Sequence, residues 1–200
     1  MFFSPSYDHG LPELVNRGWL EAICGPMFSG KTEELIRRLN RAIIAGQKVE
    51  IFKPSIDKRY DKENVISHNK NSIRSTVVNF ADDILLLSGE SDVIGIDEVQ
   101  FFDDQIVRVA NKLANQGKRV IMAGLDIDFE GKPFGPMPML LAHAEYVSKL
   151  HAICVKCGAL ASFSYRLSDQ ISQILIGEKD FYEPRCRRCF NLGKKAIKRI

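Results

Sequence analysis

Gly25-Pro26-Met27-Phe28-Ser29-Gly30-Lys31-Thr32 fits G-x-x-x-x-G-K-[ST], the pattern of a phosphate-binding loop. So short a pattern carries weight only between a strand and a helix. Upstream, Trp19-Leu20-Glu21-Ala22-Ile23-Cys24 is short and mostly apolar, as a buried strand is. Downstream, Leu35, Ile36, Leu39, Ala42 and Ile43 recur at helical spacing, and Gly46 is a good helix stop. Gly25 and Gly30 let the backbone curl until its N–H groups face phosphate oxygens, and the new helix adds the positive end of its dipole. Lys31 then suits the β- and γ-phosphates, and the Thr32 hydroxyl suits Mg²⁺. The alternative is a chance glycine-rich turn, against which the flanking strand and helix both speak. The loop implies a nucleoside triphosphate and leaves the phosphate acceptor open.

Working outward, 47–53 reads as a second strand ended by Pro54, which makes a right-handed strand–helix–strand unit. Residues 55–75 are polar without a clear period and read as a long loop, in which His68 is a loop hydrogen-bonder before it is a catalyst. A short strand is expected at 75–79, a helix at 82–87 and an apolar strand at 92–98. A helix follows over 103–116, closed by Gly117, and then a strand over 118–125. Gly131, Pro133, Gly135, Pro136 and Pro138 mark 126–138 as a loop, with a short helix at 139–146 and a last long strand at 147–155. This alternation predicts an α/β fold of the P-loop NTPase type. It is an open, mostly parallel sheet with helices on both faces, and ligands are expected beyond the carboxyl ends of the strands.

Two hundred residues suffice for one such domain with a small appendage. The domain expectation is a mobile arm at 1–18, a P-loop α/β unit at 19–150, a cysteine-bearing unit at 151–191 and a basic tail at 192–200. With 28 basic and 25 acidic residues the formal charge is +3, which makes no electrostatic case for nucleic acid or an anionic membrane. Neither a leader peptide pattern nor an apolar run long enough to span a bilayer is present in the sequence, so the cytoplasm is the expected compartment.

The strand Ile94-Gly95-Ile96 ends in Asp97-Glu98. Asp97 is placed to hold Mg²⁺ opposite Thr32. Glu98 can orient water, as in a hydrolase, or accept the proton of an acceptor hydroxyl, as in a kinase. It can also be a plain solvated acid, and the pair alone does not separate hydrolysis from transfer. Cys154-Val155-Lys156-Cys157 and Cys186-Arg187-Arg188-Cys189 are two C-x-x-C turns separated by 28 residues. Four thiolates make a closed tetrahedral Zn²⁺ site, structural because no coordination position stays open. Two disulfides are the alternative, disfavoured in the expected compartment. The segment between the turns, tied at both ends, is either a lid or a stabilised hairpin. Cys24 reads as a small buried apolar residue.

In this order and spacing the phosphate loop, Asp97-Glu98-Val99-Gln100-Phe101-Phe102, Leu125-Asp126 through Lys132-Pro133-Phe134-Gly135 and the cysteine turns resemble the zinc-containing thymidine kinases of bacteria and animal cytosol. The likeness runs from about residue 19 to residue 189. It implies transfer of the ATP γ-phosphate to the 5′-hydroxyl of thymidine, with deoxyuridine as a second substrate and Glu98 as general base. It implies an apolar pocket for the base drawn from Met27, Phe101, Leu125, Phe129, Phe134 and Tyr182. A lasso between the cysteine turns, including Ile174, Ile176 and Gly177, would read the thymine edge with its main chain. Ser164 matches a threonine near the base, and Asp57, Arg59 and Arg166 match positions near the active site. The family further implies a homotetramer inhibited by dTTP. Val99 departs from the usual glycine, and Ile127-Asp128 from a pair of small residues. The competing readings are a P-loop ATPase with a zinc ribbon acting on nucleic acid, which leaves the aromatic loop unexplained, and a non-catalytic nucleotide sensor, against which Glu98 stands.

Overall fold

The computed structural model describes residues 17–56, 64–66, 72–167 and 181–197. Its centre is a six-stranded sheet in the order β5-β2-β6-β7-β1-β8. These strands are β1 (Trp19–Cys24), β2 (Val49–Pro54), β5 (Thr76–Val78), β6 (Val93–Ile96), β7 (Arg119–Gly124) and β8 (Tyr146–Lys149). Every pairing among them is parallel. A parallel sheet needs both faces covered, and near-continuous apolar strands such as Val93-Ile94-Gly95-Ile96 are the sequence sign of it.

One face packs on α1 (Lys31–Ile44), whose Leu35, Ile36, Leu39 and Ala42 meet Ile23, Ile51, Val93, Ile121 and Ala123. The other packs on α2 (Ala81–Leu87), α3 (Gln105–Asn115) and α4 (Met137–His143), through residues that include Ile84, Ile106, Leu113 and Leu140. Fully burying one such side chain is worth about 1.5–3 kcal/mol. Because all six strands run the same way, the loops after β1, β6 and β7 open on one edge of the sheet.

Three expectations need correction. The 55–75 loop contains a two-stranded antiparallel ribbon, β3 (Asn64–Ile66) with β4 (Ser72–Arg74). The expected strand at 147–155 is two strands in two sheets. β8 pairs with β1, whereas β9 (Ala152–Ile153) pairs antiparallel with β10 (Leu160–Ala161). The break falls where Leu150 donates its N–H to the Cys24 carbonyl and the chain leaves the main sheet. The third is the solvated tail from residue 192. It gives way to α5 (Arg187–Ile197), in which Lys194 donates to the Glu130 carbonyl and stacks over Phe190. The arm at 1–16 lies outside the described residues.

Glu21, only 3% exposed, ties four elements together. Its carboxylate accepts from Arg38 on α1 (2.7 Å), Arg119 on β7 (2.6 Å) and the Trp19 indole (2.9 Å), while Arg38 also donates to Ser148 on β8 (2.7 Å). Burial pushes the Glu21 carboxyl upward, but the Arg119 and Trp19 hydrogen bonds and the nearby positive charge outweigh it, so the group lies below its ordinary value. A lowered carboxyl contributes stability that is present above its unfolded value and lost as pH falls through the folded one. Glu21→Gln is therefore expected to lower stability by about 2–4 kcal/mol at pH 7, with the gap to the parent shrinking below about pH 4. Denaturant melts at pH 7 and pH 3 check this, and a gap independent of pH would contradict it.

Candidate active site and metal centre

The loop at 25–32 leaves the carboxyl end of β1 and runs into α1. Gly25 has φ +145°, and a Cβ there would lie 2.4 Å from the Leu150 carbonyl oxygen, so the strand end and the chain leaving β8 approach too closely for any side chain. Lys31 is buried and its ammonium donates to the Pro26 carbonyl at 2.8 Å, curling the loop over its own lysine. Ser29 Oγ donates to the same carbonyl at 2.8 Å. Thr32 Oγ1 lies 3.2 Å from Asp97 Oδ2, across β7, which separates β1 from β6 in the sheet. A hydroxyl and a carboxylate facing one another at the carboxyl edge are a suitable donor pair for Mg²⁺.

Phe28 has φ +65°, a left-handed conformation that costs a non-glycine residue about 1–3 kcal/mol. Its ring packs against the small cluster of Ala152, Cys154 and Ala161, on which Cys186 and Cys189 pack as well. The next residue back, Met27, donates its N–H to Ser164 Oγ at 2.9 Å. The phosphate loop is thus held from outside by the cysteine turns and by β11 (Phe163–Arg166). Sequence reasoning assigned Ser164 to the nucleoside and did not see this bond, because 137 residues separate the partners.

Glu98 follows β6 in a left-handed conformation, φ 49° and ψ 40°, at the start of a short 3-10 turn, Val99–Phe101. Its N–H donates to Asp97 Oδ1 at 3.0 Å. Gln100 donates to Glu98 Oε2 at 2.5 Å and accepts the Leu125 N–H at 3.0 Å. Phe101 and Phe134 meet edge to face with centroids 5.7 Å apart. Met27, Phe101, Leu125, Phe129 and Phe134 are all only partly buried, which leaves apolar surface beside Glu98's turn and the phosphate loop. The Arg166 guanidinium lies over Phe129, 3.5 Å from the ring centroid, and donates to the Tyr182 hydroxyl at 2.7 Å. Tyr182 begins β12 (Tyr182–Arg185), which pairs antiparallel with β11, so the segment between the cysteine turns has a hairpin stem. Asp57, Arg59, Ile174, Ile176 and Gly177 lie outside the described residues.

The sulfur atoms of Cys154, Cys157, Cys186 and Cys189 all lie within 4.8 Å of one another. Cys157 and Cys186 are 3.6 Å apart, too far for a disulfide and close to the roughly 3.8 Å edge of a tetrahedron with 2.3 Å metal–sulfur bonds. Burial pushes the Cys154 thiol up, but N–H groups of Cys186, Lys156 and Cys157 aimed at its sulfur bring it down to about 6. Hydrogen bonds to the Cys157 and Cys186 sulfurs favour the protonated Cys189 thiol and push it up to about 12. The donor set and its spacing fit Zn²⁺, held by four thiolates with no position left for substrate. Cys24 is different. Burial and the Asp126 carboxylate raise it to about 11, so it packs as an apolar residue.

A family model for thymidine kinase matches residues 18–190. A thymidine kinase of Bacteroides thetaiotaomicron is 60% identical over 185 residues, covering 92% of this chain and 92% of that protein. A thymidine kinase of a Rhodothermus species is 60% identical over 173 residues, 86% of this chain and 81% of that one. One of Porphyromonas gingivalis is 58% identical over 176 residues, 88% and 86% of the two chains.

Removing one of the four sulfurs tests the metal centre. Cys186→Ser is expected to lower metal from one ion per chain to near none, as measured by elemental analysis. It should also weaken ATP binding, because Phe28 and Met27 lean on that region. Full metal content in the variant would contradict the four-thiolate site.

Proposed function

Because this chain belongs to the thymidine kinase family, we propose that it transfers the γ-phosphate of ATP to the 5′-hydroxyl of thymidine, and also to that of deoxyuridine. The observation that carries this reading is the position of Glu98. Asp97, at 3.2 Å from Thr32, places it beside the phosphate loop on one side, and Gln100 connects it to Leu125 and the aromatic loop on the other. A water-orienting acid has no use for an apolar, aromatic wall at its back. A proton acceptor for a nucleoside hydroxyl does.

In this mechanism the curled loop and Lys31 cradle the β- and γ-phosphates. Thr32 and Asp97 would hold the Mg²⁺ that accompanies ATP, which when bound would spread the charge of the transferring group. Met27, Phe101, Leu125, Phe129, Phe134 and Tyr182 hold the base, and Ser164 keeps a hydroxyl proton to donate to it while accepting from Met27. Glu98 takes the 5′-hydroxyl proton as the oxygen attacks. Ile174, Ile176 and Gly177 belong to a lasso that closes over the nucleoside and excludes water, so that ATP is not hydrolysed. Asp57, Arg59 and Arg166 match family positions near the active site and are assigned to it. We read 19–150 as the kinase unit and 151–191 as the zinc-held lasso unit. The same family reading extends to a cytoplasmic homotetramer with dTTP as feedback inhibitor. Among the described residues no helix is long and apolar enough to cross a membrane.

Glu98→Gln is expected to bind ATP normally and lose two to four orders of magnitude of transfer, roughly the value of a general base. Radiolabel transfer from ATP to thymidine measures it, run beside ATP hydrolysis with and without DNA. Hydrolysis stimulated by DNA without nucleoside phosphorylation would favour an ATPase acting on nucleic acid.

A further inference from the structure

We propose that Gln100 is a positioning residue for the transfer, holding the Glu98 carboxylate in the orientation from which it accepts a proton; this rests on Glu98 acting as the base. The side chain of Gln100 cannot turn over. It is 2% exposed, and the Leu125 N–H, which can only donate, lies 3.0 Å from Oε1. That end must be the oxygen, so the amide NH₂ points the other way, to Glu98 Oε2 at 2.5 Å. The amide has its own berth: a Cβ at residue 124 would lie 2.6 Å from Gln100 Oε1 and 2.9 Å from the Val99 side chain, and Gly124 supplies none.

Glu98 needs such a partner. Its backbone is left-handed at φ 49°, and its side chain is only half-buried, so packing alone does not select a rotamer. A neutral amide suits this task better than a cation. It fixes the plane of the carboxylate through one oxygen, whereas a lysine or arginine in its place would make the carboxylate a poorer base. The clamp also has a second end. Leu125 is a wall residue of the nucleoside pocket, so pressure on Leu125 from a bound base reaches Glu98 through two hydrogen bonds.

The decisive test is a double-mutant cycle in thymidine phosphorylation. Gln100→Glu keeps the length of the side chain and an oxygen for the Leu125 N–H, and replaces the donor facing Glu98. With Glu98 intact, kcat is expected to fall by about ten- to a hundredfold, the order expected from a small misplacement, while KM for ATP stays within about twofold. In a Glu98→Gln background the same change is expected to cost less than about twofold, because there is no longer a base to aim. An equal loss in both backgrounds, or an unchanged kcat with a raised KM, would assign Gln100 a packing role and overturn the proposal. Should Gln100→Glu fail to fold, as judged by ATP binding, Gln100→Met carries the same cycle. If the parent enzyme does not phosphorylate thymidine, or Glu98→Gln leaves the rate intact, the role of Glu98 itself fails. If those two hold and the cycle is additive, only the role of Gln100 fails.

Discussion

The phosphate loop does not support itself. Phe28 sits in a left-handed conformation whose cost is offset by packing its ring against Ala152, Cys154 and Ala161, and Met27 donates its N–H to Ser164 on β11. The proposed cradle for the donor phosphate is therefore shaped by a segment that begins about 130 residues later in the chain. Four cysteine sulfurs gathered within 4.8 Å are positioned to hold a metal ion, so the cysteine cluster acts as a foundation for the loop as well as a clasp for its own hairpin. This places nucleotide binding and metal binding in one mechanical unit.

The second constraint is the parallel sheet. With β7 between β1 and β6, the loop after β1 and the acids after β6 face each other across one strand, and the loop after β7 supplies the aromatic wall between them. In the proposed mechanism the distance from phosphate to acceptor is set by the spacing of hydrogen-bonded strands, which is nearly invariant. Glu21 stiffens the platform by joining β1, α1 and β7 beneath it. Phosphoryl transfer demands positioning above all, and a sheet edge is a rigid place to provide it.

Much of this was legible in the residues. The strand, glycine-rich turn and helix around residues 19–44 follow from apolar run, turn chemistry and helical period, and the paired cysteine turns announce a four-sulfur cluster. What escaped had physical reasons. The ribbon at 64–66 and 72–74 is built in a polar stretch with no apolar alternation to betray it. The apolar run at 147–155 looks continuous, since hydrophobicity does not record that its two halves pair in different sheets. The Met27–Ser164 bond joins positions far apart in sequence, and local pattern is blind to it. Gln100 was visible only as a letter in a motif. A sign existed in Gly124, the last residue of a buried strand, where a side chain would have been cheap unless something occupied its place.

A crystal structure with thymidine and a non-hydrolysable ATP analogue bears on the whole account at once. It should show the thymidine 5′-hydroxyl within hydrogen-bonding distance of the Glu98 carboxylate, the base among Phe101, Leu125, Phe129 and Phe134, and the terminal phosphate in the loop at 25–32. A nucleoside bound elsewhere, or one whose 5′-hydroxyl faces away from Glu98, would contradict it.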